Sequence, residues 1–274
     1  MNITFGQYYP TGSIIHKMDV RIKILISLLY IVVVFFCKSY ISYAVLAFVI
    51  LMNILLSKVP FGTVFKTVKI IVFILLFTAI LNVFFYKDGN VLAEWWKFRI
   101  TDMGLINASK MCIRLVLLML GTTMLTLTST AMDLTDGMES LMTPLKWIKI
   151  PVHDIALIMS IALRFIPTLS DETDKIIKAQ KSRGASFSEG GLIKRAKALL
   201  PILIPLIVSA FRRADELALA LDARCYNATE HRTKMKKITV HAFDILALLF
   251  VVGASVVIIL LCYNVIPIPS QYLI

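Results

Sequence analysis

The chain has 274 residues, of which 58% are hydrophobic and only 17% are charged. This composition, with a mean hydropathy of +0.82, excludes an ordinary soluble domain and indicates an integral membrane protein. The net charge of +12 could suggest nucleic-acid binding. However, the excess lysine and arginine lies largely on segments assigned below to the cytoplasm, so topology explains the charge and we expect no nucleic-acid partner.

Five apolar stretches predict helices that span the lipid bilayer. Several are shorter than the roughly 20 residues that a spanning helix needs, and flanking lysines are expected to extend them toward the lipid headgroups. For the short stretches, a buried or re-entrant helix is the alternative interpretation. The stretches are residues 22–36, 40–56, 70–85, 115–130 and 243–261.

Basic residues set the predicted orientation in the membrane. Lys17 and Arg21 precede the first stretch, Lys23 lies at its start, and Lys58 and Lys66 lie between the second and third. The excess of Lys and Arg in cytoplasmic loops places these segments and the N-terminus inside. The loop 87–102 is then outside, residues 131–240 are cytoplasmic and the C-terminus is outside. Residues 1–19 lack the apolar core of a signal peptide, so the first span is expected to remain in the mature chain.

The predicted fold is an all-α integral membrane protein with about five transmembrane helices and a cytoplasmic domain of about three amphipathic helices. Three regions follow from this pattern. Residues 1–130 hold transmembrane helices one to four, residues 131–240 form the cytoplasmic domain, and residues 241–274 hold the last transmembrane helix.

Helix-capping residues, together with the prolines and glycines that interrupt helices, predict three cytoplasmic helices. The first covers residues 134–145, with Asp133 as its cap, and prolines follow it. The second covers 153–182 and is expected to kink at Pro167. Its apolar residues recur every three or four positions, which predicts one buried stripe against a helix or the membrane surface. That stripe consists of Ile155, Ile158, Met159, Ala162, Phe165 and Ile166.

The third helix covers residues 192–223, and Pro201 and Pro205 are expected to bend or break its first half. Small residues at four-residue spacing would let another helix cross it closely; these are Ala210, Ala214 and Ala218. A straight helix of this length measures about 48 Å.

The second and third helices each end at an arginine. Gly184 can adopt the left-handed conformation that stops the second helix, which leaves Arg183 in the last turn. The third helix ends at Arg224. Unless a bend folds the helices together, the two arginines are too far apart for one small active site, and they could serve two partner subunits. A solvated basic helix end is the alternative interpretation for each arginine.

No catalytic or metal-binding motif emerges from the sequence. The four cysteines, Cys37, Cys112, Cys225 and Cys262, are scattered and have no histidine nearby to complete a zinc site. We therefore expect free thiols, no bound metal or cofactor, and no enzymatic activity in this chain.

Four groups of residues resemble the transmembrane T component (EcfT/CbiQ family) of energy-coupling factor (ECF) transporters, which belong to the ATP-binding-cassette (ABC) superfamily. The resemblance covers nearly the whole chain. The first group is Gly6-Gln7-Tyr8 with Ser13, His16, Asp19, Arg21 and Lys23. The others are 162–167 (Ala-Leu-Arg-Phe-Ile-Pro), 179–184 (Ala-Gln-Lys-Ser-Arg-Gly), and 212–218 (Arg-Arg-Ala-Asp-Glu-Leu-Ala) leading to 223–226 (Ala-Arg-Cys-Tyr).

The resemblance implies a transport subunit that couples two ABC-type ATPases to a membrane-embedded substrate-binding S component for vitamin or trace-metal uptake in a prokaryotic cell membrane. ATP and magnesium would be bound by the partners and not by this chain. Two X-Arg-Gly motifs at the ends of coupling helices would dock into grooves on the ATPases. Carried over by position, they are Ser182, Arg183 and Gly184, and Ala223, Arg224 and Cys225.

Cys225 departs from this pattern because the resembling family usually has glycine there. Cysteine tolerates the left-handed conformation poorly, so the turn is expected at Asn227 instead. Ile176, Phe187 and Tyr226 are expected to supply apolar contact in the grooves. A second charged group is expected to pair between the crossing helices; it consists of Arg212, Arg213, Asp215 and Glu216.

Two alternatives remain open at this point. A permease with its own substrate path would need polar residues in the spans, for which the candidates are Asn53, Asn82, Thr122, Thr123 and Thr126. Such hydroxyls usually bond to their own helix backbone. A membrane enzyme would need an active site on the cytoplasmic helices, with His153, Asp154 and Arg164 as candidates.

Overall fold

The computed structural model describes residues 8–85, 91–95, 98–149, 151–185, 191–226 and 240–262. Helices dominate this part of the chain, which confirms the predicted all-α membrane fold. The helices are α1 Ile14–Lys17, α2 Val20–Phe36, α3 Tyr40–Ser57, α4 Phe61–Phe85, α5 Asp102–Thr128, α6 Ala131–Leu141, a 3₁₀ helix Thr143–Ile148, α7 Val152–Ser182, α8 Leu192–Ala223 and α9 Ala242–Cys262.

Two short strands are an addition that the sequence did not predict. β1 (Val91–Trp95) and β2 (Phe98–Thr101) pair in antiparallel fashion, with Glu94 opposite Arg99. They belong to the predicted outer loop, of which residues 87–90 and 96–97 lie outside the described part of the chain.

Four described helices, α3, α5, α7 and α9, are long and apolar enough to cross a membrane. A fifth candidate is α4, which bends by 49° between Phe61–Lys69 and Ile71–Phe85. α2 has 17 residues, at the lower limit for spanning the hydrocarbon core. α7 was not predicted as a span. Its first half is apolar enough to pass on composition, whereas Asp171, Glu172 and Asp174 follow in its second half.

Helix α5 begins at Asp102, 13 residues before the predicted span at residue 115, because two cations are accommodated along it. The Lys110 ammonium lies 5.2 Å from the centre of the Tyr40 ring, which is cation–π distance. The Arg114 guanidinium donates to the Cys37 carbonyl at 2.8 Å and to the Tyr43 hydroxyl at 3.0 Å. These bonds satisfy an arginine that would otherwise be costly beside the membrane.

The structure divides into two compact units. One unit, here called the membrane unit, comprises Met1–Ile150 and Ile238–Ile274, and the other, the helix-pair unit, is Pro151–Lys237. This division comes later in the chain than the predicted boundary at residue 131, because α6 packs against α2. Gly137 of α6 lies next to Val20 and Ile24.

Helix α6 also differs from its predicted position. It begins at Ala131, and Thr130 is its cap, accepting from the Asp133 amide at 3.1 Å. The prediction that Asp133 is the cap and that the helix covers 134–145 was wrong. Asp133 instead lies in the first turn, where its carboxylate accepts from the Thr130 hydroxyl at 2.6 Å and its charge suits the positive end of the helix.

The core of the membrane unit is centred on α2, which packs against α5, α6 and α9. Val33 and Val34 are almost completely buried there. Tyr30 packs closely against α5 because Gly121 has no side chain: a Cβ atom at Gly121 would overlap the Tyr30 ring. The Tyr30 hydroxyl donates to the Leu117 carbonyl at 3.0 Å, so the close approach also satisfies the buried phenol.

The segment before α2 forms hydrogen bonds with the ends of α3 and α5. The Thr11 hydroxyl donates to the Ser57 carbonyl at the end of α3 at 2.8 Å. The Tyr9 amide donates to the Leu127 carbonyl of α5 at 3.0 Å. His16 holds this segment in shape, since its imidazole bonds to the Ser13 hydroxyl at 2.7 Å and to the Tyr9 carbonyl at 2.8 Å.

Two charged residues of the resembling motif complete this junction. The Asp19 carboxylate accepts from the Arg21 amide at 2.9 Å and caps α2. The Lys23 ammonium donates to the His16 carbonyl at 3.2 Å and to the Thr128 carbonyl at 3.0 Å. The described part of the N-terminal motif therefore stabilises the membrane unit, while Gly6 and Gln7 lie outside the described residues.

Candidate functional site

Helices α7 and α8 pack against each other in antiparallel orientation. The Arg213 guanidinium of α8 lies 2.9 Å from the Glu172 carboxylate of α7. The Gln180 amide is 3.5 Å from the Pro201 carbonyl, and the Tyr226 hydroxyl is 3.5 Å from the His153 imidazole. The beginning of α7 is thus beside the end of α8, and the end of α7 lies beside Pro201.

The end of α7 is a Schellman motif, a helix end closed by two backbone hydrogen bonds. The Gly184 amide donates to the Lys181 carbonyl and the Ala185 amide to the Gln180 carbonyl, both at 3.0 Å. Gly184 has the predicted left-handed conformation, with φ of 85°. Arg183 is the capping residue, with φ of −86° and ψ of 7°.

The end of α8 has the same geometry. The Cys225 amide donates to the Asp222 carbonyl and the Tyr226 amide to the Leu221 carbonyl, both at 2.9 Å. Arg224 is the capping residue, with φ of −91° and ψ of 9°. Both arginines therefore occupy the same position in the same backbone motif.

Cys225 itself adopts the left-handed conformation, with φ of 52°. The prediction that the cysteine would move the turn to Asn227 was therefore wrong, and Asn227 lies outside the described residues. The reason is that the two Schellman bonds fix the backbone at this position. They outweigh the roughly 1–2 kcal/mol that a left-handed conformation costs a residue with a side chain.

The residues around both turns are open to solvent in this chain. Ser182, Arg183 and Gly184 are exposed, and so are Ala223, Arg224 and Cys225. Within the described structure neither guanidinium takes part in an ion pair. Arg183 lies eleven residues after Glu172 on α7, and Arg224 lies eleven residues after Arg213 on α8. Each separation is about 16 Å along the helix. Because the helices are antiparallel, the two arginines lie in opposite directions from the ion pair.

The predicted crossing residues fall into two groups. Ala210 and Arg213 are half-buried, on a stripe of α8 that also includes Ile202, Leu206 and Leu217. Because Arg213 pairs with Glu172, this stripe faces α7. The other predicted crossing residues, Arg212, Ala214, Asp215, Glu216 and Ala218, are exposed.

Both helices present apolar side chains outward. Of the predicted buried stripe on α7, Phe165 and Ile166 are half-buried, whereas Ile155, Ile158 and Met159 are exposed. On α8, Phe211 is 68% exposed and Leu219 is 70% exposed. Exposed apolar area of this extent marks a surface that meets lipid or another protein.

The prolines do not interrupt either helix. α7 contains Pro167, and α8 contains Pro201 and Pro205, and each is one continuous helix, so α8 is not broken there, while the expected kink and bend stay predictions. Their bounds otherwise agree closely with the sequence, which predicted residues 153–182 and 192–223. Of the expected groove-contacting residues, Ile176 and Tyr226 are half-buried and Phe187 lies outside the described residues.

The residues proposed for the alternative functions do not form a catalytic cluster. Asp154 and Arg164 are both exposed on α7, about 15 Å apart along the helix. Among the candidate path residues, Asn82 donates to the Thr78 carbonyl, Thr122 to Leu118 and Thr126 to Thr122. These side chains satisfy their own helix backbone. The described residues contain no cluster of His, Cys, Asp or Glu with the geometry of a metal site.

Comparison with known proteins agrees with this architecture. A family model described as CbiQ, cobalt transport protein, matches residues 11–235. The chain is 49% identical to the energy-coupling factor transporter transmembrane protein EcfT of Ruminiclostridium cellulolyticum, over 93% of this chain and 94% of the relative. It is 50% identical to EcfT of Clostridium kluyveri, over 90% of this chain and 92% of that protein.

A more distant relative shows the same correspondence. The EcfT protein of Bacillus subtilis is 44% identical, over 86% of this chain and 89% of its own length. The match to the family model extends across α1 to α8 and includes both arginine-ended helices. The chain therefore belongs to the EcfT/CbiQ family, the energy-coupling transmembrane components of ECF transporters.

Proposed function

We propose that this chain couples ATP binding and hydrolysis by two cytoplasmic ABC-type ATPase subunits to the movement of a membrane-embedded S component that carries a vitamin or trace metal. In this proposal the chain itself is not an enzyme. ATP and magnesium are bound by the ATPases, and the S component determines the substrate.

The observation that carries the proposal is the identical construction of the ends of α7 and α8. Arg183 and Arg224 share one backbone geometry, are exposed and lie at opposite ends of an antiparallel pair. A rigid helix end fixes the origin of each guanidinium, and its planar fork of five donors can enter an acidic or carbonyl-lined groove. Two equivalent anchors at separate places match two equivalent partners.

The apolar surfaces supply contacts for the membrane partner in this proposal. Phe73 and Phe85 of α4 are 78% and 73% exposed, and α7 and α8 expose further apolar residues. Lipid and the S component would cover these surfaces, because large apolar patches are rare on proteins without such a partner. Crosslinking from α4 that captures only lipid in the assembled complex would contradict the assignment of α4 to the S component.

The proposed location is the cell membrane of a prokaryote, with the N-terminus and residues 131–240 inside and the C-terminus outside. The bacterial origin of the relatives supports the first part, and the distribution of Lys and Arg supports the second. For α7, exposed charges at Asp154, Arg164 and Asp171 favour the cytoplasmic surface over a span, since such groups are expensive in hydrocarbon.

The test is alanine substitution of the two arginines in the assembled complex. Arg183→Ala and Arg224→Ala should insert and fold normally, and each should weaken retention of the ATPases during affinity purification or uncouple ATP hydrolysis from uptake. The double variant should lose the ATPases altogether. Uptake is measured in cells for the substrate of the S component that purifies with the wild-type chain.

Arg212→Ala is the matched control, because Arg212 is an exposed arginine on α8 that lies away from the helix end. It removes the same charge and should leave both retention and uptake unchanged. If the double variant keeps both ATPases and full uptake, the docking role of the arginines is refuted. Equal losses in the control would mean that net positive charge, and not position, holds the ATPases.

A further inference from the structure

The membrane unit contains a cavity of about 330 Å³ between α2, α3, α5 and α9. This volume lies at the lower end of the range of about 300–1,000 Å³ that is usual for small-molecule sites. The cavity is separate from the arginine-ended helices, because all of its lining residues belong to the membrane unit.

The cavity is a slot that runs parallel to the helices. Each of its four walls contributes about two helical turns, namely residues 23–30, 49–56, 121–128 and 243–251. At 1.5 Å per residue these segments are about 10–12 Å long. The beginnings of α2 and α9 and the ends of α3 and α5 therefore lie at the same end of the slot.

Apolar side chains make up most of the slot, and its polar side chains lie mainly in one half. Lys23 and Thr128 line the end where the helices begin or finish, beside the apolar Leu56 and Phe243, and Asn53 lies about one turn further in. Tyr30 and Phe250 line the opposite end. The slot thus has polar groups in the half near the helix ends and an apolar inner half, which suits an amphiphile inserted from one leaflet.

The half of the slot near the helix ends contains one hydrogen-bond acceptor that the described structure leaves unsatisfied. The Asn53 Oδ1 atom is buried and has no partner among the described residues. Its polar neighbours are engaged elsewhere: Lys23 donates to the His16 and Thr128 carbonyls, and the Thr128 hydroxyl donates to the Met124 carbonyl at 2.8 Å. An unpaired buried oxygen is rare in native structures and is explained by an additional donor.

The walls indicate where a ligand enters. Met52 of α3 and Leu246 and Phe250 of α9 line the cavity and are also 37%, 64% and 54% exposed. These residues are on helices long and apolar enough to cross the membrane, so their exposed sides meet lipid. A largely apolar slot bordered in this way is open to the chains of the surrounding leaflet.

We propose that this cavity binds one lipid acyl chain whose polar end carries a hydroxyl or ammonium group that donates to Asn53 Oδ1. The part of the chain next to its polar end lies along the slot beside Asn53, and the remainder leaves between α3 and α9 into the leaflet. The occupant bridges the four helices that form the cavity.

The test is native mass spectrometry of the purified full-length chain at a fixed detergent concentration. Monoolein is the probe with hydroxyl donors, and methyl oleate is the matched probe with the same chain and no donor. Monoolein should bind once per chain and saturate. Methyl oleate should bind about five-fold more weakly, the effect of one neutral hydrogen bond. Absence of saturable binding, or equal affinity for both probes, overturns the proposal.

Two variants separate the contributions of the slot and of Asn53. Asn53→Leu should retain binding but lose the preference for monoolein. Ala247→Phe fills the slot and should weaken binding of both probes at least ten-fold, and Ser27→Leu serves the same purpose if that variant does not fold. Val252→Phe is the control, because Val252 is exposed on α9 and does not line the cavity. Undiminished binding in the folded filled variant contradicts the proposed location.

Discussion

Cys225 holds on α8 the backbone position that Gly184 holds on α7. Both residues are left-handed, with φ of 52° and 85°, and both follow an arginine cap in a Schellman motif. Glycine adopts this conformation freely, whereas any residue with a Cβ atom is strained in it. The two helix ends are therefore alike in geometry and unequal in strain.

The first prediction concerns this strain. Cys225→Gly should raise the thermal stability slightly, by a net of up to about 1 kcal/mol, because relief of strain exceeds the added entropy of the unfolded chain. Gly184→Ala should lower stability by about 1 kcal/mol for the opposite reason. No atom lies within 4 Å of the position of the added Cβ at Gly184, so backbone strain alone is responsible.

Melting temperatures of the purified chain in one detergent measure both changes. Cys225→Ala is the control, because it removes the thiol and retains the strained backbone, and it should melt with the wild type. If Cys225→Ala stabilises the protein as much as Cys225→Gly, the effect comes from the thiol and the backbone explanation fails.

The second prediction concerns the close contact between Gly121 and Tyr30. Gly121→Ala should destabilise the membrane unit by about 1–3 kcal/mol, since a methyl group there would overlap the Tyr30 ring and tight cores absorb such overlap poorly. Tyr30→Leu in the same chain should recover part of the loss by removing the ring. Purely additive losses in the double variant would show that the ring is not the obstacle.

The third prediction concerns the ion pair between α7 and α8. Glu172 and Arg213 retain 25% and 32% side-chain exposure, and partly solvated pairs contribute little. A double-mutant cycle with Glu172→Gln and Arg213→Gln should give a coupling energy of about 0.2–1 kcal/mol. The coupling should fall in high salt. A value near zero at low salt would mean that apolar packing alone holds the two helices at this point.

The fourth prediction concerns pH. Burial lowers the pKa of the His16 imidazole below its usual value of 6.5. The unfolded chain therefore takes up a proton at this site before the folded chain does. Stability is retained above pH 6.5 and should decrease as the pH falls from 6.5 toward the folded pKa.

The measurement compares melting temperatures at pH 7.5 and pH 5.5 for the wild type and His16→Gln. The variant should show the smaller decrease, because it lacks the titrating group, although its stability at pH 7.5 should also be lower through loss of bonds to Ser13 and Tyr9. An equal decrease in both proteins would assign the pH dependence to other groups.

The helix pair was predictable because its boundaries are local properties of the sequence. Gly184 marks the end of α7, and the structure has the predicted left-handed turn there. Residues 192–223 have a regular apolar pattern and coincide with α8. These features depend on helix propensity and turn chemistry, which a single sequence contains.

The features that were predicted wrongly or not at all depend instead on contacts between parts of the chain that are distant in sequence. The span predicted from residue 115 began too late, because the Arg114 guanidinium that precedes it is satisfied by Cys37 and Tyr43, which are distant in sequence. Cys225 was rejected as a left-handed residue on its intrinsic preference alone. The cavity beside Asn53 could not be foreseen, since four helices far apart in sequence form it.

The equal spacing of the two arginines from the Glu172–Arg213 ion pair has a mechanical consequence. If the helix pair is rigid and tilts about that contact, the two arginines move by equal distances in opposite directions. Because each arginine is about 16 Å from the contact, a tilt of about 10° moves each one by roughly 3 Å. If the two arginines dock into partner grooves as proposed, grooves that move symmetrically would produce no tilt, and only a difference between their movements would tilt the helix pair.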